Sequence, residues 1–267
     1  MRIALAQITP KALIDDQLTG LTDLCIAAKK QQVDLLVTPE MAISDYEITL
    51  DRLHTEALDI HQSEKINAMC QLAKQHQLAL VIGFAEKDAQ DDFYNSLVFI
   101  SPEGEILQTY RKTHLFGELD KERFKPGNQV NTPLYYGGLK LGLAICYDVE
   151  FPELVRLHRQ LGCDLLLVPT ANMYPFHQVA THMVPTRAME NTLAIAYANF
   201  TGLGDHLHYC GYSSICAADG QRLAQAKSDE ETLVIADINL PMIEQVRQQL
   251  SYWEDRRLDL YTGDNDV

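Results

Sequence analysis

Short apolar runs, each about as long as one β-strand, recur along this chain and alternate with amphipathic stretches. The runs at residues 2–8, 33–38 and 78–84 predict strands. The stretches at residues 15–31 and 62–77 place apolar side chains at helical spacing and predict helices with one buried face. Each helix therefore connects two strands, as in βα units.

Two predicted hairpins interrupt this βα pattern. The first pairs residues 93–100 with 105–111 around the turn SPEG, and the second pairs 130–136 with 139–146 at Gly137-Gly138. The other expected elements are a helix at 151–162, a strand at 163–170, a helix at 177–191, a strand at 192–199, a β-meander at 209–238, and a helix followed by polar coil from Pro241 onward. Hairpins mixed with βα units favour a mixed sheet, or two sheets packed face to face with helices outside.

The size and charge of the chain limit the classes of function that it can have. Its 267 residues contain no Ser/Gly tract, Pro run or long charge block, so we expect one domain with a sizeable core. A net charge of −15 argues against nucleic-acid and membrane partners and is compatible with a cationic small substrate. No signal peptide or membrane-length apolar stretch is visible. The six cysteines form no CxxC pair, which predicts free thiols in a reducing cytoplasm.

Three reactive side chains stand at the ends of predicted strands. Cys146 follows the apolar run in KLGLAICYDVEFPE, Glu40 ends VDLLVTPE, and Lys112 follows EILQTYRK. A thiol where a buried strand turns into a polar loop can face a cleft and act as a nucleophile. Because the thiolate is the attacking form, the thiol needs a base and a nearby cation. Glu40 can take the proton and Lys112 can stabilise the negative charge, as acyl transfer requires.

Each of these residues also has a structural interpretation. Cys146 alone would be a small core residue, Glu40 a helix-start carboxylate, and Lys112 a solvated strand-end cation. Taken singly, these are the commoner roles of the three residue types. The functional interpretation depends on all three residues occurring together, each within its own sequence motif.

The sequence motifs around these three residues resemble the three signature blocks of the nitrilase superfamily, the carbon–nitrogen hydrolases. TPEM contains Glu40, YRKTHLF contains Lys112 and CYDVEFPE begins at Cys146, in the order and spacing of that superfamily. The likeness runs from MRIALAQ to about residue 238. It implies a four-layer α-β-β-α sandwich, an α+β or α/β fold in which two mixed sheets pack face to face.

The resemblance also implies how the chain is organised and assembled. A carbon–nitrogen hydrolase domain is expected at 1–240, and a C-terminal helix and tail at 241–267 is expected to contact a neighbouring subunit. Superfamily members pair through helices, so a homodimer or higher homo-oligomer is expected.

The resemblance assigns a catalytic role to each matching residue. Cys146 corresponds to the nucleophile, Glu40 to the proton acceptor, and Lys112 to the group that stabilises the oxyanion and donates a proton. The backbone N–H of Tyr147 matches a second oxyanion donor. Such a site forms a thioester acyl-enzyme with a small-molecule amide and needs no metal and no organic cofactor.

A further carboxylate is expected to support these residues. Glu122, in KERFKPG, matches a supporting glutamate in many superfamily members and is expected to orient Lys112 or the substrate. Glu118 lies close by in the sequence and is the alternative.

The residues after Cys146 narrow the substrate class. True nitrilases usually carry Cys-Trp-Glu there, whereas this chain has Cys-Tyr-Asp, as amidases and carbamoylases do. The longer strings YRKTHLFGELDKERFKPG, PTANMYP and YCGYSSI most resemble 5-aminopentanamidases (δ-aminovaleramidases) and related aliphatic amidases. This resemblance implies release of ammonia from a short aliphatic or ω-amino carboxamide. The alternatives are an N-carbamoyl amine hydrolase of the N-carbamoylputrescine amidase type, a non-catalytic binding module and a metallohydrolase.

The acyl pocket and a histidine cluster complete the candidate sites. We expect the pocket to be walled by four residues near strand ends: Tyr46, Met173, Tyr174 and Phe176. Asp205, in GLGDHLHYCG, is either a contact for a substrate ammonium or a solvated loop carboxylate. In the same segment, His206, His208 and Cys210 are either a partial zinc site on one strand face or, as we expect, a polar loop or strand, because no second ligand pair follows.

Overall fold

The computed structural model of the chain describes residues 1–14 and 17–261. The first two residues of the helix predicted at 15–31 and the last six of the tail at 241–267 therefore lie outside the described residues. The strands are β1 Arg2–Gln7, β2 Leu35–Val37, β3 Ala79–Lys87, β4 Phe93–Ile100, β5 Ile106–Arg111, β6 Leu134–Tyr136, β7 Leu139–Leu143, β8 Leu165–Thr170, β9 Ala194–Asn199, β10 Thr201–Leu203, β11 His208–Cys210, β12 Ser214–Cys216, β13 Arg222–Gln225 and β14 Thr232–Asp237. The helices are α1 Lys11–Ile14, α2 Gln17–Lys30, α3 Leu50–Glu56, α4 Glu64–His76, α5 Gly117–Lys121, α6 Pro152–Gln160, α7 Val184–Asn191, α8 Leu240–Gln249 and α9 Leu258–Tyr261.

Two six-stranded sheets carry the fold, with strand orders β14-β1-β2-β3-β4-β5 and β13-β12-β9-β8-β7-β6. Each sheet has three parallel strands at its centre, β1 to β3 in the first and β7 to β9 in the second. Antiparallel strands flank these on both sides. The predicted hairpins supply one antiparallel edge of each sheet, and the sheets are mixed, as expected.

The alternation of side chains along each strand builds four layers. In β1, Ile3 and Leu5 pack into a core between the two sheets, together with residues of the second sheet such as Leu165. Ala4 and Ala6 point to the opposite face, where the first sheet packs against helices. A third cluster lies between the second sheet and its own helices α6 and α7. The structure thus confirms an α-β-β-α sandwich of two mixed sheets packed face to face.

Several local predictions are corrected by the structure. Residues 50–56 form a helix, α3, which the sequence analysis did not predict; Thr49 caps it by accepting a hydrogen bond from the Arg52 N–H at 3.4 Å. The meander predicted at 209–238 does not form: β11 pairs with β10 in a short separate hairpin, β12 and β13 belong to the second sheet, and β14 belongs to the first. The helix predicted at 177–191 begins as a π-helical turn, Val179–Met183, before α7. The tail predicted as coil contains α9.

The start of the predicted tail packs on the sandwich. Ile243 of α8 is buried in the core between the sheets, and Arg247 forms an ion pair with Asp164 at 2.9 Å. Subunit contact through 241–267 stays a prediction. Within residues 1–14 and 17–261, no helix has the length and apolar character that crossing a membrane requires.

His158 lies on α6 and is fully buried against the second sheet. Gly142 of β7 makes room for it, because a Cβ there would lie 2.7 Å from His158 Nδ1. Burial lowers the pKa of His158 from 6.5 to about 4, against the opposing effect of the Asp148 charge. Its ring is therefore neutral in the folded protein at neutral pH.

We expect this buried histidine to make stability depend on pH. Between pH 6.5 and about 4 the unfolded chain binds a proton that the folded protein does not. Acid therefore removes up to about 3 kcal/mol of unfolding free energy across this window. Urea unfolding of wild type and His158→Leu at several pH values measures this, and the variant should show the smaller loss. The exposed His61 is the control, and an equal loss in wild type and His158→Leu would contradict the prediction.

Candidate active site

The three predicted reactive residues follow the ends of strands from both sheets. Glu40 lies in the turn after β2 and Lys112 directly follows β5, both from the first sheet. Cys146 lies three residues after β7 in the second sheet and opens a 3₁₀ turn, Cys146–Glu150. Glu40 and Lys112 are fully buried, and Cys146 is partly exposed to a cavity.

A short ion pair joins Glu40 to Lys112 although they are 72 residues apart in the chain. The Lys112 Nζ donates to Glu40 Oε1 at 2.7 Å and to Asp120 Oδ2 at 2.6 Å. The Asn95 Nδ2 also donates to Glu40 Oε1, at 2.7 Å. An ammonium has three N–H donors, so Lys112 keeps one for a further acceptor.

The carboxylate that supports Lys112 is Asp120, which corrects the expectation for Glu122 and Glu118. Asp120 is buried in α5, whereas Glu118 and Glu122 are exposed. Residues two apart in a helical turn point to roughly opposite sides, at about 200°. Since Asp120 points inward to Lys112, Glu118 and Glu122 point to solvent. The missed signal was this helical spacing in GELDKE.

The two carboxylate oxygens of Glu40 differ in their hydrogen bonding. Its Oε1 carries both hydrogen bonds, whereas its Oε2 is buried without a hydrogen-bond partner among the described residues. Burial raises the pKa of Glu40 above its ordinary value, with Lys112 opposing and Asp120 adding to the effect. A carboxylate with a raised pKa and a free oxygen accepts a proton more readily than a solvated one.

Cys146 has a thiol that is protonated at rest. Burial raises its pKa well above the ordinary value, and the Glu40 charge adds to this; Lys112, the Thr170 side chain and the Ala171 backbone N–H act in the opposite direction. The backbone φ of Cys146 is 47°, in the left-handed region that side chains rarely adopt. A thiol with so high a pKa can react as a thiolate only after its proton passes to a base.

Asp148 fixes the Lys112 segment against the Cys146 turn. Its Oδ1 accepts hydrogen bonds from the Thr113 hydroxyl at 2.8 Å and the His114 N–H at 2.9 Å. Its Oδ2 accepts from the Tyr110 hydroxyl at 2.8 Å and the Ile145 N–H at 3.0 Å. One buried carboxylate thus ties β5 of the first sheet to the loop after β7 of the second.

The Glu40 turn is fixed to both sheets as well. Its N–H donates to the Thr170 carbonyl at the end of β8, at 3.2 Å. Gly83 of β3 allows the turn to approach, because a Cβ there would lie 2.6 Å from the Met41 nitrogen. The reactive groups therefore sit where the ends of strands from the two sheets meet.

A cavity of about 180 Å³ opens beside Cys146. It is lined by Tyr46, Phe116, Cys146, Tyr147, Glu150, Ala171, Asn172, Met173 and Phe176. Three of the four predicted pocket walls are therefore present. Tyr174 is not among the lining residues; its backbone N–H donates to the His208 carbonyl at 2.9 Å and its ring packs near His208. Phe116 and Glu150 were missed by the sequence analysis.

The predicted histidine cluster is a structural hairpin. Its turn is held by Glu47, which accepts hydrogen bonds from the N–H groups of Asp205, His206 and Leu207 at 3.1, 2.6 and 3.2 Å. His206 and His208 are exposed, whereas Cys210 is buried, so the three do not form one cluster. In the described part of the chain, no group of three or more His, Cys, Asp or Glu residues could hold a metal ion.

Known proteins are similar to this chain in sequence and in fold over nearly its whole length. The family model for carbon-nitrogen hydrolases matches residues 2–248. A protein of Pseudomonas protegens described as a hydrolase in the pqqF 5′ region is 40% identical over 264 residues, covering 98% of this chain and 90% of that protein. An (R)-stereoselective amidase of a Pseudomonas species is 37% identical over 236 residues, covering 88% and 84%.

A solved amidase from Nesterenkonia sp. has a similar structure. It superposes with a TM-score of 0.84 at 31% identity, covering 98% of this chain and 95% of that one. One variant of that amidase, with a glutamate replaced by glutamine, carries the acetamide moiety of fluoroacetamide covalently at its active-site cysteine. Another variant, with a cysteine replaced by alanine, holds butyramide.

Proposed function

Because this chain belongs to the carbon–nitrogen hydrolase family, we propose that it hydrolyses a short aliphatic or ω-amino carboxamide to the carboxylic acid and ammonia. It is an amidase with a catalytic cysteine. The observation that supports the assignment to particular residues is the buried Glu40–Lys112 pair, whose two charges shift the pKa of the Cys146 thiol beside a cavity in opposite directions.

In the first half of the reaction, Cys146 is acylated. The thiol proton passes to Glu40 Oε2 as the sulfur forms a bond to the amide carbonyl carbon. The carbonyl oxygen becomes an oxyanion, stabilised by the third N–H of Lys112 and the backbone N–H of Tyr147. The C–N bond then breaks, and Glu40 returns its proton to the leaving nitrogen, which departs as ammonia. A thioester remains on Cys146.

In the second half, water hydrolyses this thioester. Glu40 takes a proton from the water as its oxygen attacks the carbonyl carbon. The same two donors stabilise the second oxyanion. The C–S bond breaks, the carboxylic acid leaves, and Glu40 returns the proton to the Cys146 sulfur. The sum is amide plus water to acid plus ammonia, with the chain unchanged.

The size of the cavity supports a short substrate. A volume of about 180 Å³ is below the range of about 300–1,000 Å³ typical of pockets for drug-sized ligands. Tyr46, Phe116 and Phe176 offer apolar surface to a few methylene groups. The closest enzyme alternative, an N-carbamoyl amine hydrolase, would use the same residues.

We expect ammonia release from short amides and from none of the corresponding nitriles. The measurement is an ammonia assay on matched series of alkanamides, ω-amino amides, N-carbamoyl amines and nitriles, with carbon dioxide quantified in parallel. Ammonia without carbon dioxide supports the amidase. Equal amounts of both products from carbamoyl amines, with inert amides, would replace it by the carbamoyl hydrolase.

The assembly and location of the enzyme are proposals of the same kind. We propose a homodimer or higher homo-oligomer, as expected from the resemblance to the family, and a reducing cytoplasm, which suits an enzyme that depends on a free thiol. All six cysteines are free in the structure.

A further inference from the structure

Glu150 is a carboxylate in the cavity that the proposed reaction does not use. It is the last residue of the 3₁₀ turn that begins at Cys146, and both residues line the same cavity. Among the residues that the structure describes, no hydrogen bond or ion pair is made by its carboxylate oxygens. Its backbone carbonyl accepts a hydrogen bond from the Arg187 Nη2 at 2.8 Å.

The nearby cations are occupied by other groups. Arg187 donates to the carbonyls of Val149 and Glu150 and pairs with Glu190 Oε1 at 3.0 Å. Lys112 is held by Glu40 and Asp120. Arg187 therefore fixes the backbone of the turn without binding the carboxylate at its end. The backbone of Glu150 is therefore fixed, whereas its side-chain carboxylate has no counter-ion among the described residues.

A partly buried carboxylate that has no counter-ion is destabilised in its ionised form. Burial raises the pKa of Glu150 to about 7, against the lowering effects of the Lys112 and Arg187 charges. A cation arriving in the cavity would favour the ionised form and supply the missing charge. An ammonium on the substrate does this, whereas a methyl group of the same size leaves the carboxylate unpaired. A carboxylate on the substrate would be repelled.

We propose that Glu150 binds the ammonium group of an ω-amino carboxamide whose carbonyl lies at Cys146, and so determines the substrate class. This inference rests on the proposed amidase function and deepens it. The methylene chain between the two groups contacts the apolar lining, including Tyr46, Phe116 and Phe176. Asp205, the carboxylate considered for this role from the sequence, is exposed on the β10–β11 turn and does not line the cavity.

The test compares 5-aminopentanamide with hexanamide, which replaces the ammonium by a methyl group at equal length. We expect wild type to prefer the amino amide. In Glu150→Gln, the ratio of kcat/KM for the amino amide over hexanamide should fall by about 10- to 100-fold, the value of one hydrogen bond to a charged group. Asp205→Asn is the control and should leave the ratio unchanged.

A second variant tests the same proposal if Glu150→Gln does not fold. Glu150→Asp withdraws the carboxylate by one methylene, so the preferred chain length among ω-amino amides should increase by one carbon. A wild-type preference for hexanamide, or an unchanged ratio in folded Glu150→Gln, would overturn the role of Glu150 while leaving the amidase intact. If wild type releases ammonia from neither amide, the proposed substrate class itself fails.

Discussion

Replacing Cys146 by alanine is expected to lower kcat/KM for every amide substrate by at least about 10⁴-fold. The Cys146 sulfur lines the cavity and forms the thioester in the proposed mechanism, in which Glu40 takes its proton and Lys112 stabilises the negative charge. Intact-protein mass spectrometry during turnover of a slow amide should detect the acyl adduct on wild type and none on Cys146→Ala. Folding should be retained, because the change removes one atom beside an open cavity.

Cys70→Ala is the matched control for this experiment. Cys70 is a half-buried free thiol on α4, on the helical layer of the first sheet. Activity and the acyl adduct should both survive in Cys70→Ala. Residual ammonia release by Cys146→Ala within about tenfold of wild type would contradict thioester catalysis at this residue.

Lys112→Met is expected to remove activity and to lower the unfolding free energy by about 3–5 kcal/mol. The ammonium is fully buried between Glu40 and Asp120, at 2.7 and 2.6 Å. Without it, two buried carboxylates face each other and the pair must take up a proton, so Glu40 loses its capacity as a base. Urea unfolding and ammonia release measure the two effects separately.

Two further variants test whether these effects come from the buried ion pair or from the loss of any lysine charge. Lys125 pairs with Asp92 at 2.6 Å, but its side chain is 61% exposed and the pair is screened by solvent, so Lys125→Met should leave the unfolding free energy nearly unchanged. The double variant with Lys112→Met and Asp120→Asn removes the second carboxylate and should regain part of the stability, but no activity. Wild-type stability in Lys112→Met alone would show that the buried pair is not what holds these strand ends together.

Much of the site was predictable because its signals are local. Cys146, Glu40 and Lys112 each follow an apolar run, and a strand end is where a buried chain returns to a polar surface. The alternation of apolar runs with amphipathic stretches likewise predicted strands and helices whose existence the structure confirms. Element ends were less predictable, since capping and turn geometry decide them by one or two residues.

The partners of these residues were harder to predict. Asn95 is a polar residue in an apolar strand, and nothing in FYNSLVF says that its amide meets Glu40. Asp120 lies between two glutamates, and only the phase of a five-residue helix shows which of the three carboxylates points inward. Nothing in VEFPE singles out Glu150, and it is the 3₁₀ turn that brings it to the cavity wall.

The sequence by itself placed three reactive groups at strand ends and predicted a mixed sheet or two packed sheets, because side-chain chemistry and hydrophobic periodicity are properties of neighbouring residues. The four-layer order was implied by the resemblance to the nitrilase superfamily. Only the tertiary structure decided which carboxylate holds Lys112, which oxygen of Glu40 stays free and which acid faces the cavity. Those choices depend on contacts between segments far apart in the chain, such as Glu40 with Lys112 and Asp148 with Thr113. Sheet register and the packing of two sheets set such contacts, and no local pattern encodes them.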